Sequence, residues 1–287
     1  MIDIIKAVFF GVIEGITEWL PVSSTGHMIL LDEFIKLDVT KEFREMFLVV
    51  IQFGAILAVV VTYWKTVWPV RKAKHGKSIY VISKKTISLW GKTIIACLPA
   101  AVIGLIFDDM INDYFYNWKV VSIMLIAVGV AFIVIEKKNG TGSPYRRTYV
   151  DPIDCLDNIS YSKAFKIGLF QVVAAILPGT SRSGATIIGG LLLGVSRKAA
   201  AEFTFILAIP VMAGASLLKI VKYFANGFAL SCMETIILAI GMLVAFVVSM
   251  AIIKFLMGYI RKHDFKIFGW YRIALGILVV VYFMIAG

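Results

Sequence analysis

Charge is scarce in this sequence: 16% of its 287 residues are Asp, Glu, Lys or Arg, where soluble domains carry about 25%. Hydrophobic residues make up 60%, against roughly 45–50% in a soluble domain, and mean hydropathy is +0.89. That excess is too large for one globular core and comes in long blocks, which excludes a soluble class and leaves the membrane. Cysteine is scarce as well. Cys97, Cys155 and Cys232 stand far apart, which excludes a disulfide framework and gives no metal-ligand spacing. Of the two signs of charge the negative is the rarer, 18 Asp and Glu against 29 Lys and Arg, a net +11. The cations sit in loops between apolar blocks, as in membrane proteins held by their cytoplasmic loops, so no nucleic-acid partner is expected. A basic leader is missing too. The N-terminal apolar stretch instead carries Glu14 and Glu18 and is expected to stay in the mature chain.

Six segments, near 43–64, 87–107, 117–136, 200–223, 234–257 and 268–286, are long enough to cross about 30 Å of hydrocarbon as helices. Two further apolar stretches, 3–31 and 162–195, are each broken in the middle by Leu-Pro followed by small hydroxyl residues and Gly. Their halves are too short to span and suit helix–loop–helix hairpins that enter and leave on one side. Irregular backbone at membrane depth survives only inside protein or beside a wet cavity, so the two breaks are the places to look for a site.

The breaks repeat each other. Lys6-Ala7 matches Lys163-Ala164, Gly11 matches Gly168, Leu20-Pro21 matches Leu177-Pro178, Ser23-Ser24 matches Thr180-Ser181 and Glu45 matches Glu202, all by adding 157 without a gap. Duplication is the simplest account. Repeat 1 is then 1–136, a cytoplasmic linker is 137–161, and repeat 2 is 162–287. Three spans per repeat invert the second copy. The fold expected is an all-α polytopic membrane protein, an inverted-topology repeat with six transmembrane helices and two re-entrant helical hairpins.

Loop charge gives the same sidedness. Lys65, Arg71, Lys72, Lys74, Lys77, Lys84 and Lys85 mark the loop after the first span as cytoplasmic. Asp108, Asp109 and Asp113 mark the next as an outside loop, and Lys137, Lys138, Arg146 and Arg147 bring the linker back. Arg197 and Lys198, then Arg261, Lys262 and Lys266, agree. The first hairpin dips in from outside and the second from the cytoplasm, with their tips meeting near the midplane.

The tips carry the chemistry. Glu14 and Glu18 stack on one helix face, and an ionised residue at membrane depth costs at least ~2.5 kcal/mol. Either one end of this helix lies in the wet interface, or the pair lines a cavity as a proton acceptor or a metal ligand. Ser23, Ser24, Thr25, Gly26 and His27 follow Pro21-Val22. Hydroxyls after a proline commonly cap a helix, and a helix N-terminus with exposed N–H groups is also a phosphate cradle. Three residues past Ser24, His27 suits a general acid or base.

The second tip runs Pro178, Gly179, Thr180, Ser181, Arg182, Ser183, Gly184. Arg182 has no acidic neighbour in sequence and suits bidentate clamping of a phosphate, or an ion pair with Glu14 or Glu18 that staples the repeats. In the 157-residue register Glu14, Glu18 and His27 fall on Gln171, Ala175 and Gly184, while Arg182 falls on Thr25. Acid/base groups on one tip and the cation on the other suit a single asymmetric reaction centre.

These stretches resemble a known family. Glu14-Gly-Ile-Thr-Glu18-Trp-Leu-Pro21-Val-Ser-Ser24-Thr-Gly-His27 is similar to the first signature of the undecaprenyl-diphosphate phosphatases, the bacitracin-resistance proteins. Pro178-Gly-Thr-Ser-Arg182-Ser-Gly-Ala-Thr is similar to the second, and the likeness continues through Gly189-Gly190, Gly194-Val195-Ser196-Arg197 and Glu202-Phe203. The sequence departs from it at Leu48, where the resemblance leads one to expect Glu.

The resemblance implies hydrolysis of undecaprenyl diphosphate within the cell (inner) membrane and a divalent cation, Mg or Ca, which Glu14 and Glu18 would hold. Glu14, Glu18, Ser24, His27 and Arg182 are the expected catalytic set. Ser23, Thr25, Gly26, Thr180, Ser181, Ser183 and Gly184 are expected around the phosphate, in a cavity open to the extracytoplasmic face. Ser24 is the first choice of nucleophile, with His27 or a carboxylate as its base, and direct attack by water stays open. So does a homodimer. The rival reading is a lipid-phosphate carrier, since inverted repeats with broken helices are common in transporters. A type-2 phosphatidic-acid phosphatase would need a second catalytic His, and only His75 and His263, both in basic loops, accompany His27.

Overall fold

A computed structural model describes residues 2–72, 80–139 and 153–286. Lys74, Lys77, Arg146 and Arg147, which helped assign sidedness, lie outside the described residues, as does 140–152 of the linker.

The first break separates α1 (Ile2–Thr17) from α2 (Ser24–Phe34), and the second separates α7 (Tyr161–Ile176) from α8 (Arg182–Leu192). Both hairpins pair a 16-residue helix with an 11-residue one. Among the described residues six helices are long and apolar enough to cross a membrane. They are α3 (Lys41–Thr62), α5 (Lys84–Phe115), α6 (Trp118–Asn139), α9 (Arg197–Ala225), α10 (Cys232–Tyr259) and α11 (Lys266–Ala286). Hydroxyl caps start several of them: Thr40, Ser196 and Ser231 accept the N–H of Phe43, Ala199 and Glu234.

Two features differ from expectation. The positions of Asp108, Asp109 and Asp113, read as a loop, belong to the last turns of α5, because the helix runs on past its apolar stretch to Phe115. The all-α chain also holds a little sheet. After α3, a one-turn α4 (Trp64–Val67) leads to β1 (Val70–Lys72), which pairs antiparallel with β2 (Tyr80–Ile82).

Contacts at the helix ends show which termini share a side. At one end Arg197 clasps the buried Glu136 carboxylate through Nε and Nη2 (2.9 and 2.5 Å), and the Phe265 N–H donates to the same group. Lys85 pairs with Asp157, and Lys163 reaches the Leu193 carbonyl. At the other end Lys6 donates to the Lys36 carbonyl, Arg44 pairs with Asp32, and Ala7, Phe43, Tyr223 and Ile237 share one apolar cluster. The hairpins therefore enter from opposite ends, and the described basic loop residues gather where α7–α8 opens.

A pseudo-twofold organises the packing. α6 and α11 cross where Gly129 and Gly269 face each other's carbonyls, and α3 packs on α9. α1 of the first repeat lies along α10 of the second, and α7 of the second lies along α5 of the first. The repeats are interlocked, not side by side.

Candidate active site at the meeting of two half-helices

The α2 and α8 N-termini begin alike. Ser23 and Ser181 are the N-caps, both at positive φ (74° and 69°), and each accepts the N–H of the third residue of its helix, Gly26 (3.4 Å) and Gly184 (3.2 Å). This places Ser181 opposite Ser23, 158 residues on. The gapless register is thus corrected by one residue at the tips, where a position is inserted after Pro178. Ser24 and Arg182 become equivalents, each the first residue of its helix.

Glu18 joins them. Its carboxylate accepts the Ser24 hydroxyl on Oε2 (2.8 Å) and the Arg182 guanidinium on Oε1 (2.7 Å). The pair is mostly enclosed, with 9% of the Glu18 side chain and 13% of Arg182 exposed. Arg182 Nε and Nη1 are buried without a partner among the described residues. The Ser183 hydroxyl donates to the Glu18 carbonyl (3.2 Å), a second tie between tips, and shares a hydrogen bond with Ser181.

Glu14, one turn before Glu18, is fully buried, neither carboxylate oxygen has a hydrogen-bond partner among the described residues, and the charges of Glu18 and Arg182 act on it. The amide of Gln171, its counterpart in the second repeat, and the Thr180 hydroxyl are also buried and unpartnered. Thr25 is half-buried in the first turn of α2, ahead of buried Gly26.

His27 is turned elsewhere. Its Nδ1 lies 2.7 Å from the Ser23 carbonyl, which can only accept, so Nδ1 carries the proton. Nε2 then accepts the hydroxyl of Tyr271 on α11 at 2.7 Å. With both ring nitrogens engaged, His27 makes no hydrogen bond to Ser24. The carboxylate of Glu18 does. Leu48 packs half-buried against the cluster of Ala7, Phe10 and Met28, so no carboxylate enters from that position.

Sequence reasoning missed Arg272. It is fully buried on α11 and donates to the carbonyls of Pro21 (3.2 Å), Gly179 (2.7 Å) and Thr180 (3.0 Å), one on the first tip and two on the second. From the Gly129–Gly269 crossing, three residues on in each helix give Phe132 and Arg272. A core ring in one repeat answers to a guanidinium in the other. A lone Arg six residues into the last apolar span was the available signal.

Known sequences resemble nearly the whole chain. The family description "Bacitracin resistance protein BacA" matches residues 7–278. The chain belongs to this family. It is 58% identical over 283 residues, 99% of this chain and 97% of the relative, to an undecaprenyl-diphosphatase of Desulfitobacterium hafniense. It is 55% identical over 280 residues to an undecaprenyl-diphosphatase of Enterococcus faecalis, covering 98% of this chain and 97% of that one. An undecaprenyl-diphosphatase 1 of Clostridium acetobutylicum is 54% identical over 284 residues, with 99% and 98% covered. The BacA match contains both tips and Arg272.

Proposed function

We propose that this membrane protein hydrolyses undecaprenyl diphosphate to undecaprenyl phosphate and inorganic phosphate, which recycles the lipid carrier of cell-wall synthesis and confers bacitracin resistance. The name of its relatives supports the reaction. One observation carries the mechanism: the Glu18 carboxylate holds the Ser24 hydroxyl on one oxygen and Arg182 on the other, where two helix N-termini converge.

In this reading the terminal phosphate lies against the first turns of α2 and α8. The free Nε and Nη1 of Arg182 and the exposed N–H groups take up charge as it develops. Ser24 Oγ attacks the terminal phosphorus while its proton passes to Glu18 Oε2. The bond to the bridging oxygen breaks and undecaprenyl phosphate leaves with the electron pair. Water then displaces Ser24 from phosphorus, releasing inorganic phosphate, and Glu18 returns its proton to the serine oxygen. His27, with both nitrogens engaged, holds the shape of the first tip.

Glu14 fits a divalent cation, Mg or Ca, because both its oxygens are buried and unmatched. Among the described residues no three His, Cys, Asp or Glu side chains cluster, so diphosphate oxygens and water would complete the coordination, as is common for Mg. The cation would neutralise diphosphate charge. The basic loops point to the cytoplasm, so the site, reached along α1–α2, opens to the extracytoplasmic face of the cell (inner) membrane.

The test is release of inorganic phosphate from undecaprenyl diphosphate by the purified protein in detergent. Steady release is expected, falling by at least about 10²-fold in Arg182→Ala. A lipid carrier alone would release none. Rapid-quench trapping of phosphate on Ser24 is expected; its absence, with turnover intact, would leave direct attack by a Glu18-activated water.

A further inference from the structure

Away from the tips, at the end where the described basic residues gather, the chain after α3 builds a cleft of about 260 Å³ lined by Trp64, Lys65, Trp68, Val70 and Arg71. Trp64 and Trp68 stack at 4.6 Å, each 47% exposed. The cleft is fixed from behind. The Trp90 indole N–H donates to the Val67 carbonyl (2.8 Å), and Arg71 Nη2 donates to the Lys65 carbonyl (3.1 Å) and to Thr86, which is buried. Arg71 is therefore oriented, and among the described residues neither its other donors nor the Lys65 ammonium has a partner. The adjoining β1–β2 hairpin exposes Tyr80, Val81 and Ile82, an apolar edge that water would disfavour.

Two half-exposed indoles, two cations and an apolar edge at the end of a span match the headgroup layer of a bilayer. We infer that this cleft is a binding site for an anionic phospholipid, whose phosphate sits between Lys65 and Arg71 while its upper acyl chain lies over Trp64 and Trp68. Charge complementarity selects the occupant. A zwitterionic lipid brings its own cation against Lys65 and Arg71, and a free phosphate leaves the indoles uncovered. The site is independent of the phosphatase reading.

The experiment is native mass spectrometry of the delipidated protein titrated with phosphatidylglycerol, phosphatidylcholine or inorganic phosphate. Wild type is expected to retain phosphatidylglycerol in preference to the other two. Lys65→Gln/Arg71→Gln is expected to weaken that retention by roughly 30-fold, two cations at about 1 kcal/mol each. Lys137→Gln/Lys138→Gln removes two exposed charges from the same end of the molecule and is expected to leave it unchanged. Phosphate release and thermal melting, near wild type in both variants, verify folding. Equal loss in the two double variants would mean diffuse charge attraction and overturn the site. Equal retention of phosphatidylcholine, or of phosphate alone, would overturn it as well.

Discussion

Replacing Arg272 by Met keeps an unbranched stem on α11, shorter than that of Arg, but removes the guanidinium that spans both tips. Three buried carbonyls, of Pro21, Gly179 and Thr180, lose their donor. At about 1–3 kcal/mol for each acceptor left unmatched, the gross cost is on the order of 3–9 kcal/mol. Several kcal/mol return because a buried cation no longer has to be desolvated, leaving a net loss of roughly 3 kcal/mol. If that energy is what holds the tips in register, turnover falls by about 10²-fold, since 1.36 kcal/mol is one decade in rate. Arg272→Lys keeps the charge but cannot present a planar fork to carbonyls of two repeats, and is expected to recover only part of the loss. Phosphate release with undecaprenyl diphosphate in detergent, read as kcat and KM beside a melting temperature, is the assay. Arg272→Met with kcat/KM within threefold of wild type and an unchanged melting temperature would refute the reasoning.

Glu18→Gln cannot take the Ser24 proton and holds Arg182 more weakly, so kcat is expected to fall by roughly 10²–10⁴-fold; turnover near wild type would remove Glu18 from the mechanism. Gly179→Ala forces a side chain into φ +91° and against the Val121 carbonyl, so melting should drop by about 1–3 kcal/mol with loss of activity. Tyr271→Phe removes one hydrogen bond to His27, a matter of about 0.5–1.5 kcal/mol, and should lower melting slightly while kcat stays within tenfold. A larger fall in kcat would give the tyrosine a part in the chemistry. Glu136→Ala strands the Phe265 N–H and a one-third-exposed Arg197, so a melting loss of about 1–3 kcal/mol is expected with kinetics intact.

Much of this architecture was legible in the residues. Spans follow from apolar length, and the two breaks follow from Leu20-Pro21 and Leu177-Pro178. Opposed entry of the hairpins follows from counting three spans per repeat. The Arg182–Glu18 pair was one of the named options, since a buried cation needs an anion and Glu14 and Glu18 are the acidic residues next to the first break. Other features were hidden. The one-residue slip at the tip was invisible because both registers align serines, and only the shared positive φ of Ser23 and Ser181 settles it. His27 was expected near Ser24, but a helix carries it toward Tyr271, some 244 positions away in sequence. Arg272 was overlooked because its partners are backbone carbonyls, which leave no trace in side-chain pattern.

The exchange of hairpins between repeats sets an order of events during synthesis. α1 packs along α10, yet 214 residues separate the end of one (Thr17) from the start of the other (Cys232). At about 5–20 residues per second, hairpin α1–α2 leaves the ribosome roughly 10–40 s before its partner exists. Until residue 182 is made Glu14 and Glu18 have no Arg182, and until α10 is made they lack the wall it forms along α1, so the bilayer interior would reject both. The first segment to be made should then be among the last to enter the membrane, waiting at the surface until α10 is in place.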